Sequence, residues 1–470
     1  VILGKAYSKT LRLDGYEHVT VFAPTGTGKS TGITVPNLLD WQESCVVSDI
    51  KLQLFQLTSR YRESLGHHVY LWSLGAPDGI THCYNPLDII GDNRYTRIDE
   101  IQKIASIFIP DDPRGESVWE PQARMLFVAL TLYVLDTDGI PKTLSSVVKL
   151  FKSQPNFLGF MRNAIETRED LDPVCRENFM KLAEISEKTR SSVTFTFSSR
   201  FELFDNPMIV AATSRSDFDI RRLRREKMTI YVGVTNDNLV RLSPLLTVFY
   251  QQVADVLTRK IPQKDEPYGV LFLMDEFSAL RRMESFHKNI GLYREYRLRM
   301  MIIIQELSQL YDIYGRDGAK VFINAKVRIA FTQNDDETCK LIESMLGMTT
   351  MAIKQSSQNI SHGIGHHGSQ TQSVQYVARP LMLAQEIRWM KETKALVIMQ
   401  GYSGMYVNKI AWYKQKLFKQ RMMGAIVVPS ILPDVQQIIE NNKQVMNIQM
   451  SEYFKNNPSD PKDELLDHAI

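Results

Sequence analysis

The chain has 470 residues, enough for two or three hydrophobic cores at the usual domain size of about 100–200 residues. Its hydrophobic fraction of 44% and charged fraction of 23% are typical of a soluble globular protein and exclude a disordered or fibrous one. The formal net charge of +3 is too small to indicate a nucleic-acid partner, so any basic surface must be local. No apolar run approaches the ~20 residues that span a bilayer, no signal peptide is evident, and the first residue is Val1. We therefore expect a truncated or processed soluble fragment.

Two groups of residues that could bind a metal or form disulfides favour simpler interpretations. The four cysteines are far apart and lack metal-ligand spacing, which predicts unpaired thiols in a reducing compartment. These are Cys45, Cys83, Cys175 and Cys339. Three histidines (His362, His366 and His367) lie in a Gly/Ser/Gln-rich stretch from Lys354 to Val377. Without a nearby cysteine or acidic residue, that stretch favours a mobile polar loop over a metal site.

The first part of the chain, residues 1–92, predicts the opening of an α/β nucleotide-binding domain. Three segments are rich in β-branched and aromatic residues and are predicted to be strands: His18–Ala23, Ser44–Ile50 and His68–Leu74. A glycine-rich loop and a predicted helix separate the first two, which is the spacing of a βαβ unit.

Residues 93–219 have a different character. Helical periodicity dominates, β-branched alternation is scarce, and prolines separate the predicted helices. We interpret this segment as an all-α domain inserted into the α/β one.

Strand patterns resume in residues 220–420. The predicted strands are Met228–Val234, Gly269–Phe277, Arg299–Glu306, Val327–Gln333 and Ala395–Tyr402. They are nearly continuous apolar runs with helical segments between several of them, which predicts a mostly parallel sheet buried on both faces. The remainder, 421–470, is predicted to be a partly helical tail that ends in acidic residues: Asp460, Asp463, Glu464 and Asp467.

The stretch Ala23–Ser30, with the sequence APTGTGKS, predicts a phosphate-binding loop. Backbone N–H groups at a helix N-terminus wrap phosphates, and Gly26 and Gly28 allow the tight turns that this requires. Lys29 is expected to reach the β/γ-phosphates of ATP and Ser30 to bind Mg²⁺. The expected nucleotide-binding residues are Pro24, Thr25, Gly26, Thr27, Gly28, Lys29, Ser30 and Thr31. Ala23 stands where the pattern GxxxxGK[ST] has its first glycine, and a chance glycine turn is the alternative.

A second motif, VLFLMDEF at Val270–Phe277, predicts acidic groups at the end of a buried strand. There Asp275 would hold Mg²⁺ and Glu276 would polarise the attacking water. Two acids at a strand end also occur in solvated turns, but the phosphate-binding loop favours hydrolysis. Gln305 follows the next predicted strand and is expected to sense the γ-phosphate and orient water; a polar helix cap is the alternative.

Eight spaced motifs together carry a resemblance to a known family, over roughly residues 16–415. They are APTGTGKSTGITVPNLL, VVSDIKLQLFQLTSRYR, YNPLD, DNLVRLSPLLTVFYQQ, LFLMDEFSAL, IIIQELSQLYDIYG, NAKVRIAFTQNDDETCKLI and RPLMLAQEI. The set resembles the TraG-type coupling proteins of type IV secretion and conjugation. Three features depart from the family pattern: the membrane anchor is missing, Arg281 replaces a glycine, and Leu52–Gln53 replaces the Gly-Glu of DIKGEL.

The resemblance implies an α/β, RecA-like P-loop ATPase with a mostly parallel sheet and an inserted all-α domain. Family members are anchored at the cytoplasmic face of the bacterial inner membrane and assemble as homo-hexamers, although isolated soluble fragments of ring ATPases are often monomeric. They deliver DNA, nucleoprotein or protein effectors to the components of a type IV secretion channel. The resemblance therefore predicts an ATP- and Mg²⁺-dependent coupling protein.

Ring ATPases of this type complete each site with an arginine from the neighbouring subunit. Arg328 is the first candidate because it lies on the predicted strand after Gln305; Arg297 and Arg299 are alternatives. Transition-state charge stabilisation of this kind contributes roughly 10³–10⁵ in rate.

For DNA, the cluster Arg215–Lys227 could bind phosphates without sequence preference, single strands being the expected substrate. A charged linker that returns from the helical insertion to the sheet is an equally weighted alternative.

Two other functions remain open at this point. One is a cytosolic DNA pump of the FtsK/HerA kind that shares the same core. The other is a receptor with a slow ATPase, in which the all-α segment and the acidic tail recruit effector proteins.

Overall fold

The computed structural model describes residues 1–91, 93–112, 119–235, 237–280, 282–359 and 369–443. Within these residues the strands are, in chain order, β1 (Ile2–Ala6), β2 (Lys9–Arg12), β3 (Val19–Phe22), β4 (Ser44–Ser48), β5 (His68–Leu74), β6 (Met228–Val234), β7 (Val270–Met274), β8 (Leu298–Ile304), β9 (Val327–Ala330), β10 (Met348–Asn359), β11 (Ser369–Pro380), β12 (Lys394–Met399) and β13 (Met405–Asn408).

The α-helices of the same residues are α1 (Val35–Asp40), α2 (Gln53–Ser64), α3 (Arg94–Phe108), α4 (Glu120–Leu135), α5 (Leu144–Lys152), α6 (Phe157–Thr167), α7 (Pro173–Glu184), α8 (Glu187–Arg200), α9 (Pro207–Ala212), α10 (Leu239–Thr258), α11 (Glu284–Tyr293), α12 (Leu307–Ile323), α13 (Asp336–Leu346), α14 (Ala384–Arg388) and α15 (Lys416–Arg421). Residues 432–443 are also helical. None of the described helices is both long and apolar enough to cross a membrane.

One large sheet organises the fold. Its strand order is β2-β1-β13-β12-β9-β3-β8-β7-β4-β6-β5. All neighbours from β9 to β5 are parallel, whereas β12, β13, β1 and β2 form an antiparallel edge. The central strands are buried along their whole length because helices cover both faces. The prediction of an α/β fold with a mostly parallel sheet is confirmed.

The predicted strands all occur, with ends that differ by a few residues; His18–Ala23, for example, is Val19–Phe22. The edge strands β1, β2 and β13 were not predicted. They are short, and β2 and β13 have exposed residues, so their sequences lack the long apolar runs of the centre.

Every described element between Arg94 and Ala212 is helical, as the periodicity predicts. The buried helix α4 lies at the centre of this segment, where Phe127 stacks on Phe201 with ring centroids 5.1 Å apart. The same hydrophobic core continues into the sheet through Trp72 and Phe249. The division of the chain at 92, 219 and 420 remains a prediction.

The prediction of a mobile loop between Lys354 and Val377 is wrong for its described residues. Strands β10 and β11 pair as a two-stranded antiparallel ribbon, from Met348 opposite Pro380 to Asn359 opposite Ser369. Threonines and apolar residues recur along both strands, and the backbone pairing that they favour outweighs the polar composition. The three histidines of the stretch lie outside the described residues.

A segment that we call the C-terminal strap, residues 409–431, crosses one face of the sheet over α1 and α2. Arg421 Nη1 donates to the carbonyl of Leu39 at 2.6 Å, and Arg60 Nη2 donates to the carbonyl of Ala425 at 2.9 Å. At the far edge, Ile431 N–H bonds to the carbonyl of Gly79. The strap therefore connects the β13 edge to the β5 side of the sheet. The acidic residues predicted beyond it, from Asp460 to Asp467, lie outside the described residues.

Candidate functional site

The loop Ala23–Ser30 joins β3 to a helix whose first turn, Ser30–Thr34, is of the π type before α1 begins. Gly26 and Gly28 have φ of +80° and +78°, a conformation that favours glycine. A Cβ on Gly28 would also lie 3.0 Å from Thr31 Oγ1. Ala23, by contrast, is buried and is not among the residues with positive φ, so alanine fits where the standard pattern has glycine.

Pro24 and Thr27 shape this loop from within. The carbonyl of Pro24 accepts a hydrogen bond from Thr27 N–H at 3.3 Å and from Thr27 Oγ1 at 2.7 Å. Neither residue lines the adjoining cavity, which has a volume of about 540 Å³. The other predicted nucleotide-binding residues do line it: Thr25, Gly26, Gly28, Lys29, Ser30 and Thr31.

The two acids of the second motif lie beside the lysine of the loop. Asp275 follows β7, and Glu276 has φ of +66°, a left-handed conformation that costs a non-glycine residue roughly 1–3 kcal/mol. Lys29 Nζ donates to Glu276 Oε1 and lies 3.4 Å from Asp275 Oδ1. The backbone strain at Glu276 therefore accompanies a carboxylate aimed at the phosphate-binding loop.

Gln305 follows β8, the strand next to β7, as predicted. Its Nε2 donates to Glu276 Oε2, and its Oε1 accepts a hydrogen bond from Thr25 Oγ1 at 2.6 Å. The side chain thus connects the loop to the acid. These contacts favour a role at the cavity over the alternative role of a helix cap.

Burial changes the ionisation of two carboxyl groups at the cavity. Burial raises the pKa of Asp275, and the amine of Lys29 opposes this shift. Burial also raises the pKa of Asp49 to about 6, although Phe55 N–H donates to its Oδ2 at 2.6 Å. Asp49 belongs to the DIK segment but was not predicted as a site residue.

The cavity fits a divalent cation as well as phosphates. Among the described residues, the buried Asp275 Oδ1 has no hydrogen-bond donor of good geometry, although Lys29 lies nearby. An unsatisfied buried carboxylate oxygen is a hard ligand of the kind that Mg²⁺ prefers. Ser30 lines the same cavity and supplies a hydroxyl oxygen.

Lys409, on the C-terminal strap, contacts the phosphate-binding loop from outside the cavity and was not predicted from the sequence. Its Nζ donates to the carbonyl of Thr27 at 2.7 Å and lies 3.9 Å from the ring centroid of Phe331. Burial lowers the pKa of Lys409 to about 8. The sequence around Lys409 gives no sign of a contact with the loop. The contact arises because β13, at the antiparallel edge of the sheet, brings Lys409 close to the loop.

Comparisons with known proteins agree with this geometry. Residues 2–444 match the family model described as type IV secretory system conjugative DNA transfer. The chain belongs to this family. It is 31% identical over 440 residues to VirD4 of Rhizobium rhizogenes, covering 92% of this chain and 64% of that protein. It is 26% identical over 452 residues to the conjugal transfer protein TraG of Escherichia coli, covering 90% and 71%. The chain thus spans less than two thirds of the VirD4 length.

Solved structures confirm the fold of this conjugative DNA transfer family member. The bacterial conjugative coupling protein TrwBΔN70 aligns with a TM-score of 0.61 at 18% identity, covering 87% of this chain and 89% of that one. Another structure is of TrwB in complex with the non-hydrolysable ATP analogue ADPNP, with a TM-score of 0.59 at 18% identity, covering 83% and 84%. The resemblance to TraG-type coupling proteins is confirmed, and it favours this class over a FtsK/HerA-like pump.

One departure from the family pattern has a structural explanation. Leu52, where DIKGEL has glycine, adopts φ of +53°, which costs a residue with a Cβ roughly 1–2 kcal/mol. A Cβ on Gly233 would lie only 2.3 Å from Leu52 Cδ2, so the leucine occupies the space above that glycine. The glycine of the family pattern therefore stands at a position where the backbone of this chain has a positive φ. Arg281, another of the three departures, lies outside the described residues.

The three candidate arginines lie outside the cavity of their own chain. Arg328 is on β9, opposite Thr20 of β3; burial lowers its pKa, and its buried Nε has no hydrogen-bond partner in the described residues. Arg299 is fully buried, and its Nη2 donates to the carbonyl of Asp14 at 3.0 Å. Arg297 Nη1 donates to the carbonyl of Glu266. Because Arg299 is buried and bound to a backbone carbonyl, its contacts favour a structural role over contact with a neighbouring subunit.

The basic cluster Arg215–Lys227 is neutralised by ion pairs within the chain. Each of its five arginines has an acidic partner: Arg215 with Asp217 and Asp434, Arg221 with Asp219, Arg222 with Glu226, Arg224 with Glu266, and Arg225 with Asp265. Of the two open interpretations, these pairs favour the charged linker over a DNA-binding patch.

Proposed function

We propose that the chain is the ATP-hydrolysing part of a type IV coupling protein. It uses hydrolysis to deliver DNA, nucleoprotein or effector proteins to the components of a secretion channel. The observation that carries the proposal is the convergence of Lys29, Asp275, Glu276 and Gln305 on one cavity beside the loop. The family model that matches the chain, and the TrwB complexes with ADPNP and with ADP and Mg²⁺, support it.

The proposed chemistry divides among the side chains of the cavity. Backbone N–H groups of the loop and the amine of Lys29 bind the phosphates of ATP. Ser30 and Asp275 hold Mg²⁺, which when bound neutralises charge on the phosphate oxygens. Glu276 takes the proton of the attacking water, and Gln305 holds the Glu276 carboxylate in place through their hydrogen bond.

We further propose that the site is completed between subunits of a homo-hexamer. Arg328 of a neighbouring copy is the proposed arginine, because its half-buried guanidinium lacks an acidic partner among the described residues. The proposed place of the assembly is the cytoplasmic face of the bacterial inner membrane, and we expect the isolated chain to be a monomer. Arg328→Ala should lower ATP turnover only under conditions in which the chain assembles.

The decisive experiment is ATP turnover of Glu276→Gln against a matched control, Glu306→Gln. Each substitution removes one carboxylate: Glu276 follows β7 and Glu306 follows β8. Glu306, however, is exposed and does not line the cavity. Loss of a general base should reduce turnover by about 10²–10⁴ in the first variant, with no change in the second. Lys29→Ala should abolish turnover as well. Unchanged hydrolysis by Glu276→Gln and Lys29→Ala would contradict the site assignment.

Measuring the same turnover with and without single-stranded DNA separates the coupling motor from the substrate receptor. A motor that moves DNA should hydrolyse ATP faster when DNA is present. A slow rate that ignores DNA, together with capture of effector proteins by residues 93–219, would favour the receptor instead.

A further inference from the structure

The C-terminal strap has an unusual charge distribution. From residue 393 to residue 433 the sequence contains no aspartate or glutamate, although the whole chain carries 53 acidic residues. Within the strap the cations are Lys409, Lys414, Lys416, Lys419 and Arg421. The basic residues of this stretch are less dense along the sequence than those of Arg215–Lys227.

Three of these cations face outward. Lys414 lies in a 3-10 helix, Trp412–Lys414, and Lys416 and Lys419 lie in α15, three positions apart and hence on one side of the helix. The opposite side holds the strap to α1, through buried Phe418 and through Arg421, which binds the carbonyl of Leu39. The three lysines are exposed.

None of these three amines lies within ion-pair distance of a carboxylate in the described part of the chain. The contrast with Arg215–Lys227, where every arginine is paired, decides which surface suits a polyanion. The carboxylate beside a paired cation repels an incoming phosphate, whereas an unpaired cation has only small counterions to displace. The strap is therefore the stronger phosphate-binding surface despite having fewer cations.

We propose that the outward face of the C-terminal strap, formed by Lys414, Lys416 and Lys419, binds the phosphates of single-stranded DNA; this rests on the proposed function, in which DNA is a cargo. Tyr413 is 46% exposed, with Lys414 Nζ 5.8 Å from its ring centroid, so a base that stacks on this ring would also meet that amine. Anionic lipid is disfavoured as the partner. Helix α15 has only six residues, about 9 Å, and buries Phe418 instead of presenting it to a bilayer.

The test is the salt dependence of binding of fluorescent oligo(dT) by the whole chain, measured by anisotropy. The triple variant Lys414→Gln, Lys416→Gln, Lys419→Gln is compared with the wild type. Removing three contacts to single-stranded DNA should reduce the slope of log K against log salt by about 2. Between about 50 and 200 mM salt, the wild type should accordingly lose roughly twentyfold more affinity than the variant.

A second triple variant, Arg221→Gln, Arg222→Gln, Arg225→Gln, is the matched control. It removes the same charge from exposed arginines that already have carboxylate partners, and it should keep the wild-type slope. Equal effects of the two variants would show that only net charge matters and would overturn the proposal. So would an unchanged slope in the lysine variant, or dependence on these lysines for binding to phosphatidylglycerol vesicles but not to DNA. A wild type that binds no DNA at low salt would instead refute the DNA cargo of the proposed function.

Discussion

Replacement of Lys409 by methionine tests whether the amine beneath the phosphate-binding loop is buried in its charged form. An ordinary lysine has a pKa near 10.4, and burial lowers the pKa of Lys409 to about 8. At a pH between these two pKa values, the Lys409 amine is protonated in the unfolded chain and largely deprotonated in the folded chain. The free energy of unfolding of the wild type should therefore rise with pH across that range, relative to Lys409→Met.

The magnitude follows from the contacts of the amine. A shift from about 10.4 to about 8 corresponds to an upper limit of about 3 kcal/mol, and solvent that reaches this partly exposed amine lowers the contribution further. The contact with Phe331 favours the charged form by about 0.5–2 kcal/mol and offsets part of that cost. We therefore expect the unfolding free energy of the wild type, relative to Lys409→Met, to rise by about 1–3 kcal/mol between the two pKa values. For a chain of this length, that corresponds to about 1–3 °C in the melting temperature.

The assay is thermal denaturation of both proteins at matched scan rates, from about pH 7 to about pH 10.5, which spans both pKa values. Lys416→Met, which removes an exposed lysine of the same strap, controls for the change in net charge. A difference between wild type and Lys409→Met that stays constant over this range would refute the reasoning. Because Lys409 Nζ also holds the carbonyl of Thr27, the variant should raise KM for ATP by up to about tenfold. It should leave kcat nearly unchanged.

Three further predictions concern the core. Gly269→Ala should destabilise the fold by about 1–3 kcal/mol in thermal denaturation, since its Cβ would lie 2.1 Å from Tyr16 Cε1; a neutral effect would be inconsistent with that packing. Burial raises the pKa of Asp49 to about 6, so its stabilising contribution is complete near pH 4 and lost as pH rises through 6. Asp49→Asn should therefore melt about 1–3 °C higher at pH 7.5, and a lower melting temperature would contradict this. The buried cysteines should react with a thiol reagent only after denaturation, whereas rapid labelling of the native chain would exclude their burial.

The sequence predicts the centre of the fold and of the site well, for a physical reason. Strands such as Val270–Met274 are buried on both faces, so their apolar runs stand out, and the acids that follow mark the carboxyl edge of the sheet. Gln305 could be placed beside them because its strand comes next along the chain. These signals are local in the sequence, and neighbouring strands show the same pattern of an apolar run followed by polar residues.

What the sequence does not reveal depends on contacts between distant residues. Lys409 reaches the loop only through β13, and nothing near it in the chain resembles a nucleotide site. The density of arginines in Arg215–Lys227 suggests a DNA surface, but partners such as Asp434 and Asp265 cancel their charge. Counting charges along the chain cannot show which cations are already paired in space.

The order of the strands has a consequence for how the protein is made. Strand β3, which leads into the phosphate-binding loop, lies between β8 and β9, and both of these are translated after the whole helical segment. A nascent chain therefore carries the complete loop sequence long before it has the two strands that hold the loop in shape. Helices α3 to α9 can pack on one another in the meantime, since their contacts are local. Affinity for ATP should appear only when β9 has left the ribosome, so a product truncated before β8 would contain the loop but no working site.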